Sequence, residues 1–224
     1  MKKSRLLGAV RACVFASTFL SGTALAATVD AFDRGWYSDS GFHDDANIYT
    51  VTGDADGNTY NSFFTFDLSA ISGTVTSGTL RLELELYLSP DASEAFSIYD
   101  VTTDVNILNQ HCSNCIGTFN DLQSGAIYGA GAVSASDVNT VIDITLSSLA
   151  IADINTASGE LFAVGVSLDE LFSTGNEAIR WSAGREYRTH QLVLNTSSVP
   201  IPGAVWLFGS GLIGLIGVAR RKEA

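Results

Sequence analysis

Leu80, Leu82, Leu84, Leu86 and Leu88 alternate without a break with Arg81, Glu83, Glu85 and Tyr87. Successive side chains of an extended chain point to opposite faces, so this period of two predicts a strand with one dry and one wet face. Such a strand needs neighbours and a second layer to cover its leucines. The segments 47–52, 59–68, 95–101, 140–146, 161–168, 178–182 and 190–195 read as further short strands. Turn pairs separate them: Asp56-Gly57, Ser72-Gly73, Ser89-Pro90, Ser158-Gly159 and Gly175-Asn176. No long helical pattern occurs, and one short helix is predicted over 146–156, with Ser147 or Ser148 as its cap. Short strands at this spacing predict an all-β, antiparallel sandwich.

The two ends have a different character. Lys2, Lys3, Arg5 and Arg11 precede a short apolar run, CVFASTFL, and Ala24-Leu25-Ala26 then supplies a small-x-small site. Together they read as a secretory signal peptide over residues 1–26, cut by signal peptidase after Ala26. The run is shorter than the roughly 20 apolar residues a bilayer span needs. At the other end, Val199-Pro200-Ile201-Pro202 stops any strand, because proline has no N–H for the ladder. Residues 203–219 carry no charge and reach about 25 Å as a helix, enough for a thin bilayer. Arg220, Arg221 and Lys222 follow, and the positive-inside bias places them in the cytoplasm. Both ends therefore put the intervening domain, 27–198, outside the inner membrane.

That domain carries 23 acidic and five basic side chains, a net −18, and no lysine. A field of this sign repels nucleic acid and anionic lipid and favours divalent cations or basic partners. Solubility outside a cell would alone account for it.

The C-terminal segment VPIPGAVWLFGSGLIGLIGVARRK resembles the PEP-CTERM sorting signal, in its variant with a V-P-x-P start. The resemblance implies export in a Gram-negative bacterium that makes exopolysaccharide, a transient anchor in the inner membrane, and processing by an exosortase. The alternative is a permanent single-span anchor. A second resemblance lies in the middle of the chain. SFFTFDLS (62–69), ISGTV (71–75) and SGTLRL (77–82) are similar to a run of DNRLRE-type jelly-roll modules, with Gly78 in place of the usual alanine. It implies a jelly-roll-like sandwich of the kind found beside carbohydrate-active domains.

Four groups of residues invite a chemical role. Cys112 and Cys115 are the only cysteines of the exported domain. An oxidising compartment predicts a disulfide between them, while zinc with His111, or a redox pair, are the alternatives. Asp54, Asp56 and Asn58 alternate as calcium ligands do, but the glycine falls too early for an EF-hand, and a hairpin turn at Asp56-Gly57 competes. Trp36 and Tyr37, with Asp44 and Asp45 near His43, combine rings and carboxylates as a glycan or calcium–glycan site would. Core aromatics and surface aspartates explain the same residues. Glu83 and Glu85 share a strand face, which exposed alternation accounts for without a catalytic pair. The three histidines lack metal-ligand spacing, and no nucleophile elbow, HExxH or phosphate loop occurs.

The sequence thus predicts an exported, non-catalytic component or binder of the extracellular polysaccharide, with no cofactor unless calcium binds. A structural or adhesive surface protein with no sugar site, and a glycan-degrading enzyme, are the alternatives.

Overall fold

The computed structural model describes residues 25–47, 49–172, 175–182 and 189–197. Most of residues 1–26 and all of the sorting segment 199–224 lie outside them, including Ala24, Val199 to Pro202, and Arg220 to Lys222. Among the described residues no helix is long and apolar enough to cross a membrane.

Among the described residues the chain is mostly antiparallel β-sheet, in eleven strands with three short α-helices and one 3-10 turn. The first strand, β1 (Leu25–Ser38), serves two sheets. Its first half, from Leu25 to Asp30, pairs with β11 (His190–Ser197); its second half, from Ala31 to Ser38, pairs with β3 (Asn58–Asp67). The register slips between Ala31 and Asp33, leaving Phe32 as an extra residue that is 67% exposed. A bulge of this kind bends a strand and lets it turn a sandwich corner.

One sheet runs β1, β11, β4 (Thr74–Glu83), β8 (Val141–Thr145). The other runs β1, β3, β9 (Leu161–Leu168), β6 (Glu94–Asp100), β7 (Ile127–Val133). The start of β3 also pairs with β2 (Thr50–Ala55), which continues to β10 (Glu177–Ser182) and β5 (Leu86–Leu88). The leucines of β4 and β11 meet the aromatic face of the second sheet. Leu80, Leu82, Leu192 and Leu194 lie against a cluster containing Phe64, Phe66, Phe96 and Val166, all fully buried. Complete burial of each such side chain contributes about 1.5–3 kcal/mol.

The alternating run of leucines is not one strand. It breaks at Leu84 and Glu85, whose amides bond to the Thr140 and Arg180 carbonyls, and Leu86 and Leu88 are only half-buried. The periodic run therefore serves two sets of partners, and Glu83 and Glu85 do not share one strand.

The outer face of the second sheet is not wet either. Tyr37, Phe63 and Ala163 are covered by Leu108, Phe119 and Leu122. These come from α1 (Val105–Leu108), α2 (Ile116–Asp121) and the residue after it. The Asp121 carboxylate pins this cover, accepting from the amides and hydroxyls of Thr102 and Thr103 at 2.6–3.0 Å. The third helix, α3 (Ser148–Thr156), is capped by Ser147, whose hydroxyl accepts from Ala150 N–H.

Candidate functional site

Cys112 and Cys115 lie at disulfide distance in the link between α1 and α2. A two-way bridge ties this link to the loop after β1: His43 N–H bonds Cys112 O at 2.8 Å and Cys112 N–H bonds His43 O at 3.1 Å. Cys115 N–H adds a bond to Gly41 O at 2.8 Å. With the thiols joined, they are not ligands, which removes the zinc alternative in this state.

The bridge draws His43 into the interior, where it is fully buried and its ring stacks on Tyr37 at 4.7 Å. Its Nδ1 lies 2.7 Å from Trp36 O, a group that can only accept, so Nδ1 carries the proton and Nε2 the lone pair. The Asn109 side chain comes near enough to favour the charged ring, but no regular hydrogen bond reaches Nε2. Burial outweighs these contacts and holds the imidazole pKa below its ordinary value.

Trp36 and Tyr37 are not placed as an open stacking platform. Trp36 is 9% exposed and packs edge-on against Tyr60, while Tyr37 is 0% exposed and its hydroxyl donates to Leu108 O. Their strand is covered on both faces, which a single alternating pattern cannot reveal. Asp44 and Asp45 remain accessible, and the His43–Cys112 bridge brings His111 to them, with ligand atoms of all three within 4.8 Å. Spacing along the chain gave no sign of this cluster. A second one, Asp91, Glu94 and Glu177, joins the β5–β6 link to β10 with the same spread. Glu94 accepts from the Ser89 hydroxyl, and burial raises its carboxyl pKa. An oxygen-only set of this kind has the chemistry calcium prefers.

Asp54, Asp56 and Asn58 stand at the β2–β3 hairpin. Asp56 (φ 52°) and Gly57 (φ 81°) form the two-residue turn, with Ala55 opposite Asn58. Left-handed angles at both turn residues match the right-handed twist of the strands, and Asp-Gly supplies them at little cost. The Asp54 carboxylate accepts from the Thr59 hydroxyl at 2.5 Å, and Asp56 N–H donates to Asn176 Oδ1 at 3.3 Å. Asp54 and Asn58, but not Asp56, border a hollow of about 380 Å³ that is also lined by Asp39, Thr59, Asn176, Gly57 and Gly175. Asp39 and Asn176 come from distant segments, and only the fold reveals that they share this hollow. Tyr60 stands next along β3, its phenol pKa raised chiefly by burial and further by the nearby Asp56 and Asp39 carboxylates.

No protein-family model and no curated protein matches this chain.

Proposed function

We propose that this chain is an exported β-sandwich that binds extracellular polysaccharide without acting on it, using the hollow at the β2–β3 turn. The hollow carries the reading. Two carboxylates accept hydrogen bonds, two side-chain amides can donate and accept, and a threonine hydroxyl does both. A volume of about 380 Å³ is at the small end of ligand sites, suited to one or two sugar rings. Convergent acceptors and amides are what a polyhydroxyl ligand requires, and fewer would leave its hydroxyls unpaired.

The rest of the reading is the processing implied by the ends of the sequence: signal peptidase, a transient inner-membrane anchor, and exosortase. Leu25 pairs with Thr196, so β1 begins beside the end of β11. The jelly-roll-like assignment belongs here too, supported by sheets that share a bent strand and by wholly antiparallel pairing.

A pull-down on purified matrix polysaccharide tests the binding. The mature protein should be retained, and Asp54→Ala with Asn58→Ala should be released without a change in melting temperature. Equal retention of the variant would remove the hollow from the account. Mass spectrometry of secreted protein should show loss of residues 1–26 and of the chain beyond about Pro202. One observation favours a second reading, an adhesive surface protein with no sugar site: Trp36 and Tyr37 are enclosed rather than offered for ring stacking.

A further inference from the structure

A second cavity, also of about 380 Å³, opens between the end of α3 and the ends of β6 and β9. Its floor is apolar, made by Val105 and Leu161 beside the stacked rings of Tyr128 and Phe162, whose centroids are 5.9 Å apart. Its wall holds three carboxylates from three parts of the chain: Asp100, Asp153 and Glu160. No basic side chain is among the residues lining it.

Two of these carboxylates are oriented by fixed donors. Tyr128 Oη donates to Asp153 at 2.6 Å, and Ala126 N–H donates to Asp100 at 2.5 Å. Gly125, at φ 90°, permits the second contact, because a β-carbon there would lie 2.1 Å from Asp100 Oδ1. The Tyr128 hydroxyl stays protonated far above its ordinary range, held there by burial and by the Asp153 and Asp100 charges. The wall is therefore a set of acceptors with no donor of positive charge to match it.

We propose that this groove binds an amine-bearing sugar residue, such as a 2-amino-2-deoxyhexose, within the polysaccharide. The inference rests on the polysaccharide-binding reading above and gives it a chemical class. An ammonium group pairs with the carboxylate wall, while the C–H face of the ring covers the apolar floor. A uronate would meet like charges here, and across a domain at −18 it would be repelled before contact. An N-acetylated residue would lose the charge and leave the wall without a cation.

The test is calorimetric titration of the mature protein in 0.15 M sodium chloride with three oligosaccharides of one length. These are de-N-acetylated glucosamine, N-acetylglucosamine and galacturonate oligomers. The amine form should bind at least tenfold tighter than the acetylated form, and galacturonate should not bind. Asp153→Asn with Glu160→Gln should erase that preference, whereas Glu170→Gln, exposed and lining neither hollow, should leave it intact. Equal binding of the amine and acetylated forms, or a preference untouched by the groove variant, would overturn the assignment while leaving polysaccharide binding in place. Oligolysine of equal charge competing as well as the sugar would also overturn it, since the groove would then select charge alone. A protein that retains no matrix polysaccharide in any form would overturn the broader reading instead.

Discussion

Replacing both Cys112 and Cys115 by serine should lower stability by about 2 kcal/mol. The bond closes a loop of four residues, and the chain-entropy relation gives that figure for so short a loop. Where the loss appears depends on what the bond holds. Both cysteines pack on a cluster of Tyr37, Phe63, Ala163, Leu108, Phe119 and Leu122. The first three stand on β1, β3 and β9, which also build the main core, so the cover and the sheet should unfold together. With a urea slope of about 2 kcal/mol/M, the midpoint should fall by about 1 M with the slope unchanged. Amides of the cover, such as those of Phe119 and Leu122, should exchange about thirtyfold faster, since each 1.4 kcal/mol is a factor of ten. A free-thiol assay on unreduced, denatured mature protein, which lacks Cys13, should find no thiols. If the midpoint and the exchange rates are both unchanged, the bond does not constrain this layer and the reasoning fails.

The pH dependence should show His43. Its folded pKa lies below the ordinary 6.5, so between the two values the unfolded chain binds a proton that the folded one does not. Stability should therefore fall as pH drops through about 6.5 toward the folded value, and His43→Phe should flatten the melting curve there relative to wild type. The raised carboxyls of Asp33 and Glu94 work in the opposite sense at lower pH, which is why the difference between the two proteins is the quantity to read. Parallel curves for wild type and variant would refute the assignment. In 0.15 M sodium chloride, where the Debye length is about 8 Å, millimolar calcium should raise the melting temperature no more than magnesium. A saturable calcium-selective rise, lost in Asp91→Asn or in Asp44→Asn, would instead put an ion at one of the two carboxylate clusters.

Strands that keep one pattern over their length were legible in the sequence, whether alternating like β11 or wholly apolar like β9, and strands whose pattern is interrupted were not. The segment 161–168 was read with the bounds it adopts, and the helix cap at Ser147 was read correctly as one of two choices. β1 was missed because its bulge at Phe32 reverses the parity of its faces midway. Val29 and Ala31 pack inward before the bulge, and Trp36 after it, so no single period of two spans the strand. Its first two residues, Leu25 and Ala26, were also assigned to the signal peptide, yet they pair with Thr196 and Asn195. β7 reads as a loop because Gly129 and Gly131 interrupt it. A β-carbon at either would lie 2.7 Å from the Ile144 or Phe96 side chain, so those glycines mark close packing rather than a turn. The turn at Asp56-Gly57 was visible from its residues. The hollow beside it was not, since it depends on Asn176 arriving across 120 positions of sequence.

The long strand that escaped the sequence reading also fixes where the two hollows lie along the sandwich. β1 carries Leu25 at one end, beside Thr196, and Ser38 at the other, opposite Tyr60 and one residue before Asp39. At about 3.3 Å per residue its 14 residues run roughly 40 Å along the strand, through the bend at Phe32, from Leu25 to the rim of the hollow. The β2–β3 hollow therefore lies at the far end of β1 from Leu25 and Thr196. The groove of Asp100, Asp153 and Glu160 lies nearer the middle, because Leu161 at its floor pairs with Asp67, beside the Phe66 that faces Ala31 in β1. Two hollows of similar size, one distal and one halfway along the sandwich, could engage separate stretches of one polymer. Weak contacts at each would then add through effective concentration, and the bound fraction would depend steeply on polymer length. Binding that does not strengthen when the oligosaccharide grows long enough to span both hollows would show that the two act independently.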